Sequence, residues 1–208
     1  MTRSIYEQLN EYDTVAKQRV VETFSGDALD TDRWHTGNST GTGTVVMEDV
    51  VDGGVKLDTG SSSSRVEINF QNKRQYDSQG SEVIWVAKTG QLTNTELLFG
   101  LADNNATASL DDGFVEFHST NSSNWRLNKA FSQWVDTSLA VDTNWHNFKL
   151  TLGASNVKLS IDGILSGTGY AVATTEINSD KLQPEFHLHD LAVTTNTASA
   201  RYCEAYNT

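Results

Sequence analysis

The 208-residue chain has one cysteine, one proline and two methionines. The lone Cys203 cannot close an intrachain bridge, so a disulfide scaffold is excluded, and a chain of this length can bury a substantial core without staples. With a single proline, the turns fall to Gly, Asn and Asp. Basic residues are also scarce: 15 Lys and Arg stand against 27 Asp and Glu, a net charge of −12. Phosphate recognition needs a basic face, so nucleic-acid binding is excluded, and the acidity reads as a solubility feature or an adaptation to salt. No run of 18 apolar residues occurs, so no helical membrane span is expected. The segment MTRSIYEQLNEYDTVAKQRV has neither the apolar centre of a signal peptide nor a lipidation signal. The chain is therefore expected to stay where it is made, or to leave by assembly and lysis.

Helical patterning is confined to residues 3–22. There Ile5, Leu9, Tyr12, Val15, Ala16 and Val20 recur at three- and four-residue spacing, and Ser4 with Glu7 fits a capping box. A helix this short needs a partner surface. Residues 1–22 are read as an N-terminal helical arm that packs on the edge of the following domain or docks it on a larger assembly. Residues 23–208 are read as one domain.

The rest of the chain has a period of two. Its clearest stretch is DTNWHNFKLTLGASNVKLSIDGILSG, Asp142 to Gly167. Phe148, Leu150 and Leu152 alternate with polar residues, as do Val157, Leu159 and Ile161, the mark of half-buried antiparallel strands. Gly153 to Asn156 forms the turn between them, and Asp162-Gly163 a second tight turn. Further strand candidates lie at 21–24, 44–49, 54–58, 65–70, 81–88, 96–102, 113–118, 125–129, 133–136, 183–191 and 200–206. Residues 37–43 read as a Gly/Ser/Thr turn region. Many short strands between Gly, Ser, Asn and Asp clusters predict an all-β, two-sheet antiparallel sandwich.

A Trp-His pair, an alternating strand, a short turn and then "lysIDG" resemble the late hairpin of concanavalin A-like (laminin-G-like) jelly-roll domains. The stretch Phe24 to Trp34, of the form F-sGd-L-d-rW, resembles their opening. The resemblance runs from about Val21 to the C-terminus and implies a jelly-roll sandwich, a fold that often binds carbohydrate and is common in phage and virus appendage proteins.

Strand parity suggests one chemical face. Arg65 and Glu67 oppose Val66, Ile68 and Phe70. Glu116 and His118 oppose Val115 and Phe117, and His187 and His189 oppose Phe186 and Leu188. If these strands share a sheet, Arg65, Glu67, Glu116, His118, His187 and His189 gather on it. His187-X-His189 can supply two metal ligands if His118 or Glu116 supplies a third. Alternatively, Arg65-X-Glu67 with a nearby His resembles alginate-lyase-type jelly rolls, but their Gln-Ile-His motif and Tyr-Phe-Lys-Ala-Gly-like strand are missing. The retaining β-glucanase type needs a Glu-X-Asp-X-X-Glu strand, with two carboxylates about 5.5 Å apart, and no such strand is present. No catalytic residue is assigned, and the face is expected to be a solvated outer surface.

Among the five tryptophans, Trp34 and Trp145 read as core or edge residues and Trp85 as buried. Trp125 and Trp134 flank polar loops and are the candidates for a glycan or partner surface. Cys203 reads as a small core residue of the last strand. The acidic loop 103–113 carries Asp103, Asp111 and Asp112. It reads as solvated, but laminin-G-like domains hold calcium at such a rim, so the resemblance implies Ca2+ as the one cofactor to weigh.

These readings favour a non-enzymatic virion structural protein: a capsid decoration or a tail- or fibre-associated protein assembled in a host cytoplasm. Its partners would be capsid or tail proteins or copies of itself, with host-surface polysaccharide as a further ligand. The alternatives are a carbohydrate-binding module or lectin, and a jelly-roll polysaccharide lyase or glycoside hydrolase.

Overall fold

The structure is a computed structural model that describes residues 19–48, 51, 53–61, 64–70, 76–77, 80–102, 113–130, 133–153, 156–166, 170–171 and 181–208. Its strands are β1 (Arg19–Glu22), β2 (His35–Thr40), β3 (Thr44–Met47), β4 (Val55–Asp58), β5 (Arg65–Asn69), β6 (Tyr76–Asp77), β7 (Ser81–Thr89), β8 (Thr95–Ala102) and β9 (Gly113–His118). They continue with β10 (Asn124–Ala130), β11 (Gln133–Ala140), β12 (His146–Leu152), β13 (Asn156–Ile161), β14 (Ile164–Leu165), β15 (Tyr170–Ala171), β16 (Lys181–Asp190) and β17 (Thr197–Asn207).

Two antiparallel sheets result. The first has the order β14-β13-β12-β7-β17-β4-β3, with β1 beside β17 and β15 beside β13. The second has the order β11-β10-β9-β8-β16-β5-β2, with β6 beside β16. The predicted all-β sandwich is the observed fold.

Alternation builds the interface between the sheets. Val83, Trp85 and Ala87 of β7 are buried while Glu82, Ile84, Val86 and Lys88 between them are only partly covered. The hairpin pairs Phe148 with Ile161, Leu150 with Leu159 and Leu152 with Val157, and all six are buried. At its far end Asp162 and Gly163 both take positive φ (52° and 79°), the backbone of the tight hairpin turn that Asp-Gly favours. Strand β17 changes parity midway. A bulge between Ala200 and Tyr202 lets Ala198 and Ala200 face the core before it and Cys203 and Ala205 after it.

An aromatic spine fills the space between the sheets. Phe148 lies 4.8 Å from Phe99 and 4.7 Å from Trp125, and Trp85 lies 5.4 Å from Phe186 and 6.1 Å from Trp34 (ring centroids). The opening stretch closes this spine. Phe24 takes a left-handed backbone (φ 48°) with its ring buried. Glu22 accepts from the Phe24 amide (2.9 Å), the Trp34 indole (3.1 Å) and Arg33 (3.1 Å), and the Gly54 amide donates to the Phe24 carbonyl (2.9 Å). These bonds offset the cost of the strained residue.

Three expectations change. Residues 1–18 lie outside the described residues, but 19–22 are a strand, not the end of a helix. Val20 faces Ala205 and Glu22 faces Cys203, so β1 belongs to the sandwich, and the boundary drawn after residue 22 cuts through this part of it. The long flank of β17 supplies backbone partners that no local pattern reveals. Residues 35–40 form β2 rather than a turn, and Gly37 serves close packing there: a Cβ would come within 2.5 Å of Glu67 Oε1. Finally, Phe24 lies past the first strand, at the corner that follows it.

Candidate functional site

The outward face of the second sheet carries three rows of side chains set by strand register. The first row runs Arg65, His189, Glu96, His118, and the second Gly37, Glu67, His187, Leu98, Glu116, Arg126, Asp136. The third runs His35, Asn69, Glu185, Gly100, Phe114 and, beyond β10, Trp134. All six residues chosen by parity therefore share one face, because neighbouring strands keep register and side chains alternate.

This face is not the solvated surface expected from the sequence. Glu67, Asn69, Glu116, Arg126, Glu185 and His187 are each 6% exposed or less. Leu98, Ala102 and Phe114 form a second small apolar cluster on it. Burial then sets the chemistry. It raises the Glu67 carboxyl from an ordinary 4.5 to about 7, although Arg65 and an Asn69 side-chain bond (3.1 Å) pull the other way. Burial also lowers the His187 imidazole to about 3, with Arg65 acting in the same direction. Glu96 differs: burial would raise it, but the bond with His189 (2.9 Å) and the neighbouring imidazoles hold it below the usual carboxylate range.

One oxygen each of Glu67 and Glu185 and one ring nitrogen of His187 lie within 4.8 Å of one another. Glu67 sits opposite His187 across the β5–β16 pair, and Glu185 is two residues from His187 on the same strand face. At the far edge, Arg126 is wholly buried, and its Nε, Nη1 and Nη2 have no hydrogen-bond partner among the described residues. It lies 3.8 Å from Glu116, 3.6 Å from Asp136 and 4.1 Å from the Trp134 ring centroid. Trp134 is 47% exposed above it.

The remaining candidates read from the sequence divide. Trp134 is a surface aromatic, as expected, but Trp125 is not: it is fully buried against Phe99, Phe117 and Phe148. Strand parity explains this, since Trp125 and Leu127 point inward and Arg126 outward. Trp85 and Cys203 are buried as read, and Trp145 is half-buried between Lys88 (4.7 Å) and Arg201 (4.9 Å). Asp103, Asp111 and Asp112 lie outside the described residues. The metal set of His187 and His189 with His118 or Glu116 is not assembled: among the described residues, the group within reach of one ion is Glu67, Glu185 and His187. Glu185 and Arg126 are members of this face that the histidine pattern passes over, although alternation places Glu185 beside His187 and sets Arg126 opposite Trp125. Reading the sequence for charged pairs on a face, rather than for histidines, finds both.

No protein-family model and no curated relative matches the sequence. Solved structures do match in fold. A pseudo β-1,3-glucanase and immunostimulatory antigen of Mycobacterium tuberculosis aligns with a TM-score of 0.65 at 15% identity, over 91% of this chain and 98% of that one. A β-1,3-glucanase from Mycobacterium marinum aligns with a TM-score of 0.66 at 12% identity (89% and 97%). A Bacteroides ovatus glycoside hydrolase family 16 protein, solved with a mixed-linkage glucan product, aligns with a TM-score of 0.63 at 12% identity (88% and 98%). The fold is the jelly-roll sandwich that these proteins share. This concanavalin A-like sandwich was the fold implied by the hairpin and the opening stretch. The neighbours are glucanases, glycoside hydrolases and a transglycosylase. They overturn the expectation of a virion structural protein.

Proposed function

We propose that the chain is a polysaccharide-binding protein on a glucanase-type jelly roll, recognising β-1,3- or mixed-linkage glucan at the outward face of the second sheet without retaining-glucanase chemistry. The observation that carries this reading is the edge cluster: an exposed Trp134 ring stacked on a buried Arg126 that is flanked by Glu116 and Asp136. An exposed aromatic face can cover the apolar face of a sugar ring, and a neighbouring carboxylate can accept from its hydroxyls. Asp136, with its side chain 53% exposed, suits that second role. Arg126 acts beneath the ring as a positioning residue. The substrate class is taken from the neighbours, two of which are described as β-1,3-glucanase-like and one as bound to a mixed-linkage glucan product.

Hydrolysis is the weaker reading. A retaining mechanism needs an accessible acid and nucleophile about 5–5.5 Å apart. Strand β9, GFVEFH, carries a single carboxylate, Glu116, and it is ion-paired with Arg126. Glu67 and Glu185 are close enough, but at 6% and 3% exposure neither is open to a sugar ring.

The test is affinity electrophoresis and calorimetry with laminarin and barley mixed-linkage glucan, alongside reducing-sugar release. Expected are saturable binding, at least about tenfold weaker in Trp134→Ala and Asp136→Ala, and no release of reducing ends. Turnover lost in Glu116→Gln or Glu67→Gln would overturn the binding-only reading. Unaltered binding in Trp134→Ala would remove the edge cluster from it.

A further inference from the structure

We infer that Glu67, Glu185 and His187 form a binding site for one divalent transition-metal ion of the zinc type, pinning strand β5 to strand β16. Three observations converge. The first is geometric: two carboxylate oxygens and one imidazole nitrogen lie within 4.8 Å of one another, from side chains fixed by a continuous ladder pairing Asn69 with Glu185 and Glu67 with His187. A tetrahedral zinc site with bonds of about 2.0–2.1 Å sets its ligand atoms about 3.4 Å apart. Torsion of the two flexible glutamate side chains can close that difference without moving the strands.

The second observation points to a ligand independently of the acidic pair. His187 is only 6% exposed, and its Nε2 has no hydrogen-bond partner among the described residues. A buried ring nitrogen left without a partner costs stability.

The third observation is electrostatic. Two carboxylates share a buried space. A divalent cation between them neutralises both at once. The groups around the site set its limits. Asn69 donates to Glu67 Oε1 (3.1 Å) and orients it, whereas the Arg65 charge opposes a cation and keeps the affinity moderate. One nitrogen and two oxygens suit zinc and its neighbours rather than calcium or magnesium, which take all-oxygen shells. The site is separate from the Trp134 edge, so this inference stands or falls apart from glucan binding.

Untagged full-length protein is dialysed against Zn2+, then freed of excess and assayed for bound metal, with calorimetry for affinity. One Zn2+ retained per chain is expected, with no comparable Ca2+ or Mg2+ binding. Glu67→Gln, Glu185→Gln and His187→Gln should each weaken it by at least about a hundredfold, beyond the 10–100-fold typical of outer-shell partners. His189→Gln should leave it within about threefold. In EDTA, Glu67→Gln should be at least as heat-stable as the wild type, since it removes a carboxylate from a crowded pair. Its midpoint should then fail to rise with Zn2+, whereas the wild-type midpoint rises. Should these variants not fold, Co2+-loaded wild type serves instead: visible d–d bands of a low-coordinate ion with nitrogen ligation are expected. Zinc lost in His189→Gln but kept in Glu185→Gln, no bound metal in the wild type, or a Co2+ spectrum of a hydrated ion would overturn the inference.

Discussion

Replacing His146 tests how the central hairpin is held. The imidazole is clamped between two carboxylates, with Nδ1 2.6 Å from Asp162 and Nε2 3.0 Å from Asp142. Asp162 also accepts from the Asn147 amide (2.9 Å) and occupies the left-handed turn position, so one side chain ties the end of β13 to the start of β12. Burial lowers the His146 pKa, but the bonds and charges of Asp162 and Asp142 outweigh it, and the net shift is upward. Protonated, the ring donates to both carboxylates. Neutral, it keeps one donor and turns a lone pair towards the other carboxylate. A hydrogen bond to a charged group contributes about 1.5–3 kcal/mol. The imidazole side chain is 12% exposed but the carboxylates are 49% and 46% exposed, so screening puts each bond at the lower end. Losing one of the two should cost about 1–2 kcal/mol.

The sign follows from the upward shift. The folded protein holds this proton more tightly than the unfolded chain, so the stabilisation is fully present below pH 6.5 and is lost as pH rises through the higher folded value. Urea unfolding of wild type and His146→Gln at about pH 6 and about pH 9 isolates the effect from other titrating groups. With a slope of about 1–3 kcal/mol per M, the wild-type advantage should shrink by about 0.3–2 M in midpoint between the two pH values. Midpoints separated by the same amount at both pH values would refute the clamp.

Three further outcomes follow from packing. Gly100→Ala should destabilise by about 1–3 kcal/mol in the same unfolding assay, because a Cβ there would overlap the Gly113 carbonyl across the β8–β9 pair; an unchanged midpoint would show that the strands can part. Trp125→Ala should cost about 3–5 kcal/mol, whereas Trp125→Phe should keep glucan affinity within about twofold of wild type, since the ring lies in the core. Cys203, fully buried and with its thiol pKa raised first by burial, should react with a thiol reagent only at the rate of unfolding, and fast labelling of the native protein would contradict that.

Local pattern was enough to define most strands and the fold. Alternation is a property of a few consecutive residues, so β7, β8, β9, β12, β13 and β16 could be read to within a residue or two, and the Asp162-Gly163 turn could be read from backbone preference alone. Parity also placed Arg65, Glu67, Glu116, His118, His187 and His189 on one face, because register in an antiparallel sheet carries alternation from strand to strand. Non-local facts remained hidden. Arg19 and Val20 became part of a strand because the distant β17 offered unpaired backbone, and residues 35–40 became one because β5 did. Burial of the polar face turned an expected solvated surface into a place where Glu67 keeps its proton and His187 loses its own. That burial depends on what lies over the face, and periodicity does not record it. The meeting of Glu67 with Glu185, and of Arg126 with Glu116, likewise belongs to strand order. Residues far apart in the chain become neighbours only when the sheet closes, and only then do their charges act on one another.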